Sequence, residues 1–152
     1  MIYVRLVFLI ALPSQVLPGF AQIRLCRDAI EHLGYDVRAM QRIWHKEDKY
    51  TLILSEELTH RAIPLHAIYL LSPTDVSEVL IESPSPSEQF KLLLNNIFRA
   101  EYVKGLGIQE SVFRQIMSIL NHRQLKHVRR PRSHFSMNQL SQRLEQDFNA
   151  QR

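Results

Sequence analysis

Apolar positions follow two regimes along this chain: short runs up to about residue 84, and a repeat every three to four residues after it. The first run, Leu6–Leu12, sits among β-branched and aromatic residues (Tyr3, Val4, Val7, Phe8, Ile10) and stops at Pro13, which reads as a buried strand. Arg27–Leu33 puts Ala29, Ile30 and Leu33 on one face, with Gly34 as a left-handed stop, and predicts a short helix. A polar, charged connection is expected from Asp36 to Asp48 around Met40, Ile43 and Trp44. Tyr50–Leu54 is the next strand candidate. Ala67–Leu71 is apolar on both faces and bracketed by Pro64 and Pro73, the pattern of a strand inside a sheet. Val76–Ile81 is expected to be a further strand.

The period changes at Ser85-Pro86-Ser87-Glu88, a capping box with proline at the first helical position, where its missing N–H costs nothing. Phe90, Leu93, Leu94 and Ile97 then share one stripe, and Gly105 and Gly107 are expected to close this helix and open another. Phe113, Ile116, Met117 and Leu120 carry the second helix. Leu125–Val128 reads as a short strand before Pro131, and Leu140, Leu144 and Phe148 line a final helix. The fold class expected is α+β, strands first and helices second, in one domain over 1–152, with 1–15 an edge strand or a vestigial segment.

Composition changes this picture little: 45% hydrophobic and 22% charged residues exclude wholesale disorder and a polytopic membrane protein. Seven uninterrupted apolar residues near the start fall far short of the roughly 20 a spanning helix needs. The opening also imitates a secretory signal ending before Gln22, so the expected location is cytoplasmic, with secretion as the alternative. Charge is more informative. Arg123, Lys126, Arg129, Arg130 and Arg132 lie between His122 and His134 with no carboxylate, and the +4 overall less these five leaves −1 for the rest. Such a stripe suits phosphates, or is simply a solvated basic edge. No zinc-finger spacing or aromatic-interleaved motif adds weight to nucleic acid.

Few glycines limit the chemistry. Only Gly105 and Gly107 lie within five positions of each other and no glycine precedes a lysine, so a Walker A loop, a dinucleotide fingerprint and a nucleophile elbow are all absent. The seven histidines form no H-E-x-x-H, so no metal site is expected. The single cysteine, Cys26, forms no intrachain disulfide and reads as a buried or edge thiol. Asp75, Glu78 and Glu82 read as decoration of a solvent face rather than a catalytic pair.

In order, the chain carries VLPGFAQIRLCRDA from Val16 to Ala29, Lys49-Tyr50, IPLHAIYLL from Ile63 to Leu71, the capped helix at Ser85, Leu106-Gly107-Ile108 and Val128-Arg-Arg-Pro131. This succession resembles the C-terminal half of HPr serine kinase-like proteins, including kinases of peptide-modification clusters, from about Val16 to Phe148. The resemblance implies a phosphoenolpyruvate carboxykinase-like fold and transfer of the γ-phosphoryl of ATP, with magnesium, to a serine of a protein or peptide. The family's glycine-rich phosphate loop and acidic pair belong to the half that precedes Val16, where this sequence has fifteen residues and no acid. Without loop, lysine and metal, most of the catalyst is gone.

The expectation is therefore a truncated or split kinase homologue with no catalytic residues of its own and not self-sufficient in catalysis: a start-site artefact, a degenerate remnant, or one piece that works with a separately encoded P-loop half or as a homo-oligomer. Arg24, Lys49, Arg129, Arg130 and Arg132 are its phosphate- or nucleotide-binding candidates. Asp28 reads as an acid favouring a helix N-terminus. The alternative is a non-catalytic protein or peptide interaction module; a small basic nucleic-acid binder ranks last.

Overall fold

The computed structural model describes residues 15–16, 22–44, 47–53, 62–97, 100–122 and 124–150. The strand expected at Leu6–Leu12 and the signal-like start lie outside them. Among these residues the chain is mixed α+β, with several sheets and helices gathered toward the C-terminus, and it groups into two compact units, 15–63 and 64–150. A two-residue strand, β1 (Gln15–Val16), opens the described part of the first.

The rest of the first unit comprises β2 (Gln22–Cys26), α1 (Arg27–His32), a 3₁₀ turn (Val37–Ala39), β3 (Gln41–Trp44) and β4 (Glu47–Ile53). β4 is the central strand, antiparallel to both neighbours, with Leu25 opposite Tyr50 and Cys26 opposite Lys49. Side chains alternate across a strand, so Leu25 and Tyr50 enter the core while Arg24 and Lys49 share the other face. Leu25, Ala29, Ile30 and Tyr50 form that core, with Ile23, Val37, Met40 and Leu52 packed against it. Helix α1 ends as its sequence suggests. Gly34 takes φ +76°, its N–H reaches Glu31 O at 3.1 Å and that of Tyr35 reaches Ile30 O at 3.1 Å, the paired bonds of a Schellman stop. The polar connection expected from Asp36 to Asp48 is corrected: it holds the 3₁₀ turn and all of β3. Gln41, Arg42 and Ile43 are all exposed, so no alternation marked them as a strand; pairing with β4 makes it one.

Strand β5 (Ile63–Pro64) falls where the two units meet along the chain. The second unit then runs β6 (Ala67–Thr74), β7 (Leu80–Glu82), α2 (Pro86–Asn95), α3 (Ala100–Gly105), α4 (Gln109–His122), β8 (Gln124–Pro131) and α5 (Met137–Ala150). The order in the sheet is β6-β8-β7, with β6 and β8 parallel and β7 antiparallel to β8. Three sequence expectations are corrected here. AIYLL is not inside the sheet: among the described residues β6 pairs on one side only, and this edge position tolerates Pro73 within the strand. The short strand at Leu125–Val128 is instead eight residues long and central, so strands do not simply precede helices. α2–α4 form the crossover that a parallel pair requires. The third strand starts only at Leu80, because the N–H of buried Val79 bonds the side chain of Gln139 at 3.2 Å rather than a neighbouring strand.

Helix α2 begins at its capping box, where Glu88 accepts from the Ser85 N–H at 2.9 Å and the Ser85 hydroxyl at 2.7 Å; these bonds hold the Glu88 carboxyl below its ordinary range. It ends at Asn95 rather than at the glycines, and α3 intervenes before Gly107, whose φ is +67°. Val79, Val128 and Leu140 form a core against α5, joined by Tyr69, Ile81, Met137 and Leu144.

Candidate functional site

The sequence-derived phosphate candidates divide between the units. Arg24 and Lys49 sit in the first. Arg24 opposes Thr51, so Lys49 is its diagonal neighbour on the sheet face turned from the core. Arg24 is exposed and Lys49 half-buried. The remaining three lie at the end of β8 and bind parts of their own unit. Arg129 pairs with Glu82, two residues along β7 from Leu80, its partner in the strand register. Arg130 Nη1 donates to Pro131 O at 3.1 Å. Arg132 donates to the end of β6 twice, from its N–H to Thr74 O and from Nη2 to Pro73 O, both at 3.0 Å. Lys126 follows suit, reaching Ser83 Oγ at 3.0 Å and Asp147 at 3.9 Å. Most of the basic stripe is thus engaged in tying strands to their neighbours.

A polar cluster missed in the sequence lies in the first unit. Arg27 Nε donates to Asp48 Oδ2 at 2.5 Å and its Nη2 to the Tyr50 hydroxyl at 2.7 Å; that hydroxyl donates to Asp48 Oδ1 at 2.9 Å, and Arg42 stands 3.6 Å from the same oxygen. The guanidinium also lies 5.5 Å from the centre of the Tyr50 ring. Hydrogen bonds from Arg27 and then Tyr50 hold the Asp48 carboxyl below the usual carboxylate range. The bond to Asp48, with burial second, pushes the Tyr50 phenol up. Arg27 and Asp48 are far apart in sequence, so only the β2–β4 register reveals them as partners. Every group here is satisfied by another, which suits a structural clamp over the core.

At the carboxyl ends of β6 and β8 the chain forms an open pocket of about 390 Å³, lined by Ser77, His134, Phe135, Ser136, Asn138 and Gln139. Such ends of parallel strands are where α/β sheets place ligands. The bonds from Arg132 to Pro73 and Thr74, and from Val79 N–H to Gln139, fix its walls. Ser136 precedes the first turn of α5, and its carbonyl accepts the first helical bond, from Leu140 N–H at 2.8 Å. Ser136-x-x-Gln139 has the form of a helix-start box, a sequence signal for the start of α5 that the apolar pattern alone passes over. In the structure Gln139 turns its carbonyl to Val79 instead.

A different surface covers the crossover helices. Phe90 and Phe113 meet edge to face at 5.7 Å, and each has an apolar residue one turn on, Leu94 and Met117. Leu94, Phe113 and Met117 are exposed, as are Tyr102 on α3 and Leu106 just after it, the last at 70%. Of the residues that gave α4 its spacing, Phe113 and Met117 are exposed, while Ile116 is buried together with Ile119.

Among the described residues no three His, Cys, Asp or Glu side chains gather to hold a metal, and no helix is long and apolar enough to cross a membrane. No protein-family model, curated protein or solved structure matches the chain.

Proposed function

We propose that this chain is a non-catalytic protein-interaction module, descended from the C-terminal half of an HPr serine kinase-like protein, that docks a P-loop-bearing partner through α2–α4. The observation that carries the reading is the set of exposed large apolar residues on three consecutive helices and the turn between the last two, Leu94, Tyr102, Leu106, Phe113 and Met117. Scattered exposed apolar residues are ordinary, but aromatic and aliphatic side chains grouped on adjoining helices mark a contact surface. Two features of the residues support the non-catalytic part of this reading. The chain has no glycine loop to cradle a triphosphate, and Arg129, Arg130 and Arg132 are occupied by a carboxylate and carbonyls. ATP and magnesium belong, in this reading, to the partner. A phosphoenolpyruvate carboxykinase-like sheet is part of the same proposal, and the parallel β6/β8 pair with its helical crossover supports it.

The test has two arms. The isolated chain, incubated with radiolabelled ATP, magnesium and a serine-bearing acceptor, is expected to transfer no phosphate. In sedimentation velocity it is expected to form a complex with the P-loop domain of an HPr kinase-like protein, and Phe113→Ser with Met117→Ser is expected to weaken that complex at least about tenfold, as loss of central apolar anchors does. Stoichiometric phosphoryl transfer by the chain alone overturns the non-catalytic reading. Absence of a complex, or self-association through the same residues, overturns the choice of partner.

A further inference from the structure

We draw no further inference here: the strongest candidate, the side-chain cluster at the carboxyl ends of β6 and β8 where Thr74 Oγ1 and Arg129 Nε are buried without hydrogen-bond partners among the described residues, carries nothing, because Arg129 is already paired with Glu82 and neither residue lines the pocket at those strand ends, so nothing in the structure shows a ligand reaching either atom.

Discussion

Asp48 accepts hydrogen bonds from Arg27 and Tyr50 and lies beside Arg42, so its charge is held by three side chains at the edge of a buried cluster. The folded carboxyl titrates below its ordinary value of 3.8. Its contribution is therefore complete above that value and is lost as pH falls through the lower, folded one. Tyr50 behaves in the opposite sense: its raised phenol contributes below its ordinary value of 10.0, and the contribution is lost as pH rises through the folded one. We expect Asp48→Asn to lower the melting temperature at neutral pH, with the gap to the parent closing as solutions are acidified below about pH 4. Thermal melts monitored by circular dichroism across that range check it, and a gap constant with pH removes the carboxylate's role. Tyr50→Phe keeps the ring in the core and is expected to flatten the parent's loss of stability at alkaline pH, measured the same way.

At the scale of elements, α1 shows how local chemistry decides a boundary. Gly34 stands at φ +76° with open space where a Cβ would point, so substitution there costs only backbone strain. Gly34→Ala is expected to destabilise the first unit by about 1–2 kcal/mol, the cost of a left-handed residue with a Cβ. Asn is expected to fall between the two, because its side chain tolerates that region. Chemical denaturation of the three proteins measures the order, and equal stabilities reject it. This helix was legible because its stop and its apolar face are both local. The capping box of α2 and the apolar line of α5 were legible for the same reason. β3 was not, since three consecutive exposed residues carry no period and only the partner strand makes them a strand. Nor was the central place of β8. Its alternation is masked because Leu125 and Val128 are buried on opposite faces, and its parallel partner is more than fifty residues earlier. The pocket suffered likewise: Ser77 and Ser136 come to one site only through the ends of β6 and β8.

For the molecule as a whole, charge and packing tell separate stories. The surplus of +4 suggested an outward basic stripe, yet Lys126, Arg129, Arg130 and Arg132 each bond within the second unit. Packing divides more cleanly. Leu25, Ala29, Ile30 and Tyr50 form one cluster within 15–63, and Val79, Val128 and Leu140 form another within 64–150. Cooperative units of opening follow buried contacts, so a cavity in one cluster acts first on the backbone bonds around it. Ile30 is fully buried, and Ile30→Ala is expected to remove about 2–5 kcal/mol. In native-state hydrogen exchange followed by mass spectrometry, that loss speeds exchange in β2 and β4 roughly 30-fold or more, while β6 and β8 keep the parent's protection. Leu140→Ala, emptying the second cluster, is expected to give the mirror result: fast exchange in β6 and β8, with β2 and β4 unchanged. If either variant accelerates all four strands by one common factor, the two clusters open as a single cooperative core, and the division by contact has no energetic counterpart.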